Sequence, residues 1–425
     1  MRFSSCWILL PFLLLPAARS GAQSIELAEL EREALASSPR LAEAAARRDA
    51  ALALVPGARV AADPALELWV RNALPGLSNP GTDTTEVELM VVQPVRYPGK
   101  RGAWQELAAA EATLATAEVA SASRAVVTEV RTLYAELVAT DREQRVLAEA
   151  HELQELLIAT ARVRFGTGQE EALAVLEAEL ASNRHDLVLD EVYSRFVALR
   201  ARLAALTGRR PEELPLQVGT LPEPIFAVFE GPLPFDPEAP RLVAARARVH
   251  AAESRFEAAR LDLRPDFAVG GGFTWPEGRD PALTAKLGID LPFLRRRRMA
   301  PRVDAAEAAL RAEQSAYRQL ELELAAQGSE WGAERDRLER ALEALSGAVV
   351  PRTSAALDAA RVAFLNERLP FSRLLELQNE WFHARVDLER VEAERFAVWA
   401  RWQEVARPGT VPLASEPKQQ SEVQP

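Results

Sequence analysis

Short stretches in which every second residue is apolar occur four times along this chain. In the first of them, leucine and valine alternate with glutamate, tryptophan and arginine. A period of two with one apolar face predicts a β-strand. The four strands form two pairs, and a strand of about ten residues can cross a bilayer when it is tilted. The predicted strands cover about residues 65–71, 84–93, 266–275 and 282–291.

Most of the remaining chain follows a helical pattern. Residues 102–165 and 299–366 are rich in Ala, Leu, Glu and Arg, and apolar positions such as Val126, Val130 and Leu133 repeat at helical spacing. At about 1.5 Å per residue, these two arms predict rods about 95–100 Å long, which do not fit in an ordinary globular domain.

Four shorter helices are predicted beside the two long arms. Their lengths indicate that pairs of them stack end to end to match one arm. The expected stacks are 169–208 with 238–261, and 371–406 with 25–55.

The two halves of the chain are duplicates. Three short motifs recur with nearly constant spacing: 39–41 as 240–242 (offset 201), 93–95 as 291–293 (offset 198) and 161–165 as 360–364 (offset 199). A unit about 200 residues long is too long for a solenoid repeat, so the halves predict one pseudo-symmetric body.

The duplication predicts the domain boundaries. Each repeat holds one helix, two strands and a helical hairpin, whose tip lies near 166–168 in the first repeat and near 367–371 in the second. The proline-rich linker is expected to pack outside as an equatorial collar, and the polar C-terminal tail to be disordered. The boundaries are a signal peptide at 1–22, repeat 1 at 23–210, the linker at 211–237, repeat 2 at 238–407 and the tail at 408–425.

The N-terminal segment predicts export. Arg2 precedes a short apolar run, and small residues follow at 20–22, as in a secretory signal peptide. The only cysteine, Cys6, lies in this segment, so the mature chain has no disulfide framework and no thiolate metal site. After residue 22 no apolar run is long enough for a membrane helix, and the formal net charge of −11 gives no signal for nucleic acid.

Four strands are too few to close a barrel within one chain. An open sheet edge cannot face lipid, because its N–H and C=O groups would have no partner there. Copies from other chains must therefore complete the sheet. Three copies would give about twelve strands and as many helical columns, which together would form a conduit.

Over residues 24–407 this arrangement resembles the TolC-like outer membrane factor family, the exit ducts of tripartite efflux pumps. The resemblance rests on the duplicated strand–loop–strand units, on the strand ends at 93–95 and 291–293, and on the hairpin tips. The segment 93–101 is similar to the cobalt–zinc–cadmium branch of the family. The resemblance implies a mainly α fold in which long hairpins form an α-barrel, and a homotrimer that closes a twelve-stranded transmembrane β-barrel.

The resemblance also implies where the protein acts and with which partners. The duct would lie in the outer membrane and extend into the periplasm, where a periplasmic adaptor (membrane fusion) protein would bind it. An inner-membrane pump of the resistance-nodulation-division type would supply the cargo, and small molecules or metal cations would leave passively through the duct. The cargo itself stays open.

The hairpin tips are the candidate adaptor-docking sites. Glycines let a turn adopt positive φ and expose backbone to a partner, although a glycine turn can also simply end a helix. The family usually has a small residue at both tip turns, and Glu367 departs from this pattern at the position equivalent to Gly168. The tip residues are Gly166, Thr167, Gly168, Glu367, Leu369 and Pro370.

An acidic ring at the periplasmic aperture is the second candidate site. The resemblance places acidic residues just past the second tip, and Glu376 is the one that this sequence retains there, with Glu177 as its counterpart in repeat 1. Three copies of Glu376 would attract cations and narrow the aperture. The alternative is one more solvated charge on a glutamate-rich helix.

Basic clusters follow the second and fourth strands, where the chain re-enters the periplasm. Cations at such positions can contact anionic lipid head groups. A solvated charge run is the alternative, and the position argues against nucleic acid. The residues are Lys100, Arg101, Arg295, Arg296, Arg297 and Arg298.

No catalytic chemistry is predicted. The four histidines are dispersed without ligand spacing, and no nucleophile–base pair or cofactor fingerprint is present, so we expect no enzyme activity, no cofactor and no metal site. The competing functions are a soluble periplasmic coiled-coil adaptor or scaffold. Adaptors have one hairpin within a β-rich domain, whereas this chain has two hairpins, and a scaffold leaves the paired strands unexplained.

Overall fold

The computed structural model describes residues 24–71, 85–167, 172–226, 231–290, 293–366 and 368–406. The expected signal peptide at 1–22 and tail at 408–425 lie outside these ranges, as do Gly168 and Glu367 of the two tips.

Long helices make up most of the fold. They are α1 (Leu27–Ser37), α2 (Pro39–Ala58), α3 (Lys100–Gly166), α4 (Ala172–Thr207), α5 (Pro240–Leu261), α6 (Phe293–Ala344), α7 (Val350–Leu365) and α8 (Phe371–Val405). α3 alone has 67 residues, which corresponds to about 100 Å. None of the helices in the described ranges combines the length and hydropathy of a membrane-spanning segment.

The long arm of repeat 2 is interrupted where that of repeat 1 is not. Between α6 and α7, residues Leu345–Val349 form a π-helical turn that leads directly into Pro351. Proline has no N–H for the helical hydrogen bond and its ring crowds the carbonyl of the preceding turn, so the helix widens there. The corresponding part of α3 contains no proline and stays regular.

A four-stranded antiparallel sheet lies at one end of the helices. Its strands are β2 (Ala65–Arg71), β3 (Glu86–Val95), β5 (Phe267–Pro276) and β6 (Ala282–Ile289), in that spatial order. Two short strands, β1 (Ser24–Ile25) and β4 (Gln217–Val218), form a separate parallel pair.

The register of the sheet reproduces the duplication. Leu68 lies opposite Leu89 in the β2–β3 pair. Val269, 201 positions after Leu68, lies opposite Leu287, 198 positions after Leu89, in the β5–β6 pair. The offsets found between the motifs therefore also relate the two hairpins of the sheet.

The sheet curls toward its polar face. Lys286 on one edge strand donates to Glu67 on the other, with 2.6 Å between Nζ and Oε2. β3 and β5 lie between these strands, so this contact requires strong curvature. Gly272 permits the curvature, because a Cβ there would lie 2.0 Å from the carbonyl oxygen of Leu89.

The stacking of the shorter helices differs from the expectation. α4 ends beside the start of α2, where a Cβ on Gly208 would lie 2.8 Å from the carbonyl oxygen of Ser37. α8 ends beside the start of α5: the N–H of Asp236 donates to the carbonyl of Val405 at 2.8 Å. The stacks are thus α4 with α2 and α8 with α5. The expected pairing was wrong because α2 and α5 are nearly equal in length, so length alone cannot distinguish the two arrangements.

The linker segment is bound across one face of the helices. The indole Nε1 atoms of Trp399 and Trp402 donate to the carbonyls of Ile225 and Pro234, at 3.1 and 2.8 Å. The hydroxyl of Tyr134 donates to Ile25 and, at 3.3 Å, approaches the carbonyl of Thr220. These aromatic side chains belong to a large buried cluster, so the segment covers part of the core.

Lys100 departs from its expected role at the membrane surface. Its side chain is only 2 % exposed, and its ammonium donates to both carboxylate oxygens of Asp266 at 2.9 Å and to the carbonyl of Arg264 at 2.7 Å. A buried, fully bonded ammonium cannot contact lipid head groups. Lys100 instead ties the start of α3 in repeat 1 to the start of β5 in repeat 2.

Candidate functional site

The outer strands of the sheet have unpaired edges. β2 pairs only with β3, and β6 pairs only with β5, among the residues that the structure describes. Each edge therefore presents a row of backbone N–H and C=O groups without ladder partners, which is a template for another strand.

The apolar face of the sheet is bare. Leu66, Leu283 and Leu287 are 70 %, 79 % and 75 % exposed, respectively. Aligned residues of the four strands continue this surface, among them Leu68, Val91, Phe273 and Ile289. Soluble proteins rarely expose an apolar surface of this extent, whereas a strand that faces lipid requires it.

A second unpartnered apolar surface runs along α4. Its exposed side chains repeat at spacings of three, four and seven residues, as in one seam of a coiled coil. The opposite side of α4 packs against α3. This α4 stripe comprises Leu173, Leu176, Leu180 and Leu187.

Both hairpin tips expose apolar side chains at equivalent positions. Val163 on α3 and Val362 on α7, 199 positions apart, are 68 % and 60 % exposed. Gly166 and Pro370 are exposed, and the hydroxyl of Thr167 caps α3 by donating to the carbonyl of Arg164 at 2.9 Å. Leu369 instead packs partly into the cluster beneath the tips.

Arg164 ties the two tips of one chain together. Its guanidinium donates to the carbonyl of Phe364 at 2.9 Å and lies 4.3 Å from the centre of that aromatic ring. It also donates to the carbonyl of Leu365, so it satisfies the C-terminal end of α7. The equivalent residue on α7 is Ala363, which cannot make such a contact with another copy. Sequence reasoning noted Arg164 only as part of a repeated motif and missed this role.

The glutamate predicted for the aperture has a partner that the sequence analysis did not assign. On α8 the carboxylate of Glu376 accepts from the guanidinium of Arg373 at 2.7 Å, and this hydrogen bond raises the pKa of Arg373. Both side chains are at least half exposed. Glu177 lies on α4, partly buried. The i, i+3 spacing on a helix was the available signal for the Arg373–Glu376 pair.

Exposed arginines lie at all four junctions between strands and helices. Arg59 directly follows α2, and Arg101, the second residue of α3, donates to the carbonyl of Arg59. Arg264 precedes β5, and Arg297 lies in the first turns of α6, after β6. Arg264 lies 5.9 Å from the ring of Tyr97. The side chains of Arg295, Arg296 and Arg298 lie outside the described residues.

The fold brings together three histidines that are dispersed in the sequence. His151 on α3, His185 on α4 and His383 on α8 interact electrostatically, and the ring of His185 lies 5.7 Å from that of Phe382. Burial, reinforced by His151, lowers the pKa of His185, although its hydrogen bond with Asn379 acts the other way. Across the described ranges, no group of three His, Cys, Asp or Glu side chains has the geometry of a metal site.

The same architecture occurs in known outer membrane channels. The outer-membrane channel OprN superimposes with a TM-score of 0.76 at 20 % identity, over 89 % of each chain. VceC from Vibrio cholerae gives 0.73 at 19 % identity, over 89 % of this chain and 95 % of that one. CusC, whose structures concern transmembrane channel formation, gives 0.74 at 16 % identity, over 90 % and 92 %. No curated protein matches the chain.

The fold and its bare apolar sheet are those of the TolC-like channels, which lie in the outer membrane and extend into the periplasm. The family model for outer membrane efflux proteins matches residues 30–209 and 237–397. The chain therefore belongs to the outer membrane efflux protein family, which confirms the resemblance found in the sequence. It is an efflux channel rather than a soluble adaptor or scaffold, and both family and fold are those of channels, not of enzymes.

The lowered pKa of His185 predicts a pH-dependent stability. Burial in the native state disfavours the charged imidazole, so its folded pKa lies below the unfolded value of about 6.5. The stability that depends on a neutral His185 is therefore fully present above the unfolded pKa, and it is lost as the pH falls through the folded pKa. In His185→Gln, the loss of stability between pH 8 and pH 5 should be smaller than in the parent, measured as the midpoint of heat unfolding.

His250→Gln provides the matched control. His250 is more than half exposed and lies near Glu106, away from the other three histidines. Its substitution should leave the pH profile of the parent intact. If the loss of stability between pH 8 and pH 5 were reduced equally in both variants, or were not reduced in His185→Gln, the assignment to His185 would be contradicted.

Proposed function

We propose that three copies of this chain form the exit duct of a tripartite efflux pump. The observation that carries the proposal is the curled sheet with a bare apolar face and two unpaired edges. In lipid, the edge groups have no partner except another strand. A homotrimer would supply those strands and close a barrel of about twelve, within the range known for outer membrane barrels.

The duplication supplies a register for the contact between copies. Val91 lies opposite Gly271 within one chain. The same offsets lead from Val91 to Ile289, 198 positions later, and from Gly271 to Val70, 201 positions earlier. If contacts between copies repeat the contact within a chain, Ile289 on β6 lies opposite Val70 on β2 of the neighbouring copy. Both side chains belong to the bare apolar face, as this arrangement requires.

The helical edges fit the same assembly. In the part of the chain nearest the hairpin tips, four helices lie side by side. α4 lies at one edge and α7 at the other, with α3 and α8 between them. The α4 stripe would then pack against α7 of the neighbouring copy, whose exposed side chains include Val362 and Leu365. Sheet and helices thus call for the same partner, a second copy.

The tips are proposed to bind a periplasmic adaptor, which links the duct to an inner-membrane pump of the resistance-nodulation-division type. Exposed Val163 and Val362 offer apolar contact at the two tips. Gly166, Thr167, Leu369 and Pro370 remain the proposed docking residues, together with Gly168 and Glu367. Arg164 would hold the two tips of a chain at a fixed distance for this contact.

The junction arginines are proposed to contact lipid head groups. They lie where the apolar strands end, at the depth where phosphate groups of the inner leaflet would be. Arg101 and Arg297 keep the role predicted for them, with Arg295, Arg296 and Arg298 beside them. Arg59 and Arg264 extend the set, and Lys100 leaves it because it is buried.

The cargo is selected mainly by the pump, before it reaches the duct. The similarity of residues 93–101 to the cobalt–zinc–cadmium branch favours metal cations as one cargo class, and small organic solutes are the second. Glu376 and Glu177 are proposed to line the aperture, with Glu376 partly neutralised by Arg373.

The trimer predicts a heat-sensitive complex in the outer membrane. Extracted in detergent and loaded without heating, the protein should migrate as a trimer on a denaturing gel, and as a monomer after boiling, because a closed barrel resists detergent. It should sediment with outer membranes and form conducting pores in planar bilayers. A monomer in the aqueous periplasmic extract would contradict the proposal.

The aperture pair predicts opposite effects for its two members. Glu376→Gln should lower the preference of the pore for cations, and Arg373→Gln should raise it, because the second change leaves three glutamates without their counter-charges. The measurement is the K⁺ to Cl⁻ permeability ratio in bilayers. Arg385→Gln is the control, because Arg385 lies farther from the tip on α8 and pairs with Glu149 on α3. Unchanged ratios in both aperture variants would exclude the ring.

A further inference from the structure

We infer that a ladder of glutamate–arginine pairs along α3 lines the lumen of the duct and cancels its charge, so that solutes of either sign pass. This inference rests on the proposed trimeric duct. It concerns the long middle section of the duct and is independent of the aperture at the tips.

The upper rungs of the ladder join α3 to α5. The carboxylate of Glu111 accepts from Arg255 at 2.7 Å, and that of Glu118 accepts from Arg248 at 2.9 Å. Both pairs are separated by seven residues on each helix, so the glutamates share one face of α3 and the arginines share one face of α5. The two helices run antiparallel, which keeps the rungs in step.

The lower rungs join α3 to α4 and α8. Glu143 is held between Arg195 and Arg390, at 3.2 and 2.8 Å, with only 6 % of its side chain exposed. Next to this rung, Arg337 on α6 bridges Glu334 and Glu394, at 2.7 and 3.0 Å. From Glu111 to Glu143 the ladder covers roughly 48 Å along α3.

The joint between α8 and α5 continues the ladder. Seven residues beyond Glu118, α3 has Ala125 in place of a glutamate, and seven residues before Arg248, α5 has Arg241. Glu404 at the end of α8 supplies the missing carboxylate. It lines the same cavity as Ala125 and Arg241. Burial raises the pKa of Glu404, and the positive charge of Arg241 opposes this effect.

The position of the ladder around α3 places it in the lumen. Tyr134 marks the face of α3 that the linker segment covers. At about 100° per residue, Glu111, Glu118 and Glu143 lie roughly 180–220° around the helix from Tyr134. Three linker segments inside a duct would fill it, so the linker must lie outside and the glutamates must lie inside.

The fold itself does not require these pairs. Positions 199 residues after Glu111 and Glu118, in the long arm of repeat 2, are Leu310 and Tyr317. The upper pairs are 37–56 % exposed on both sides, and ion pairs of this exposure contribute little to stability because solvent screens them. Their main consequence is electrostatic.

The pairing determines the net charge that the luminal wall presents to a passing ion. A column of unpaired glutamates, present three times in a trimer, would make the lumen strongly negative and favour cations. An arginine within about 3 Å of each carboxylate leaves little net field at the distance of roughly 8–10 Å over which charges act in saline. The duct then neither retains cations nor repels anions along this section.

Opposite changes of selectivity in planar bilayers test the ladder. In a KCl gradient, Arg248→Gln/Arg255→Gln should raise the K⁺ to Cl⁻ permeability ratio roughly two- to fivefold, because six carboxylates per trimer lose their partners. Glu111→Gln/Glu118→Gln should lower the ratio by a similar factor. Arg248→Lys/Arg255→Lys keeps the charge and should retain the parent ratio.

Glu106→Gln is the matched control on a different face of α3, roughly 120–140° around the helix from Glu111 and Glu118, where Glu106 lies 3.9 Å from His250. It should leave the ratio unchanged. Conducting trimers whose ratio does not respond to either luminal double variant would overturn the ladder while the duct stands. A response to Glu106→Gln alone would overturn the assignment of the inner face. Failure of the parent protein to conduct would overturn the duct, and with it the ladder.

Discussion

Backbone hydrogen bonding at the edges of the sheet governs this structure. Four strands leave two rows of N–H and C=O groups without partners, and lipid cannot satisfy them. A strand from another copy can. Because β2 and β6 are the first and last strands of one antiparallel sheet, each copy offers one edge of each kind, and copies can join head to tail into a closed ring.

Closure of the sheet into a ring also determines how the helices are arranged. A ring of strands sets the number of helical columns below it, and the duplication supplies long arms and shorter stacked helices of matching height. The buried Lys100–Asp266 pair connects the two repeats where strands become helices, so sheet and helices keep one spacing. At the far end, Arg164 connects the two tips of a chain, and the linker covers the joints between stacked helices.

Periodic patterns predicted much of this fold, since alternation and helical spacing record which face of an element is buried. The period-two stretches coincide with the described strands, and the Ala- and Leu-rich arms coincide with α3 and with α6–α7. Partners in space were harder to predict. The stacking of α4 on α2 depends on where the linker takes the chain, which helix length does not encode. The burial of Lys100, the contact of Arg164 with Phe364 and the meeting of three histidines depend on residues more than 30 positions apart. The sequence contains no signal for these contacts without homologues.

The contact between β6 and the neighbouring β2 tests the central claim most directly. Cys6 is the only cysteine in the sequence, so Val70→Cys/Ile289→Cys in a Cys6→Ser background can be oxidised without competing thiols. The register derived from the duplication predicts disulfide-linked multimers that survive boiling and disappear on reduction, because opposite residues of paired strands lie close enough for a disulfide. Each single variant, and the pair Leu68→Cys/Ile289→Cys with its offset of two residues, should remain monomeric after boiling. A double variant Val70→Cys/Ile289→Cys that stays monomeric while the offset pair crosslinks would contradict the register, and monomers in every case would contradict closure by neighbouring copies.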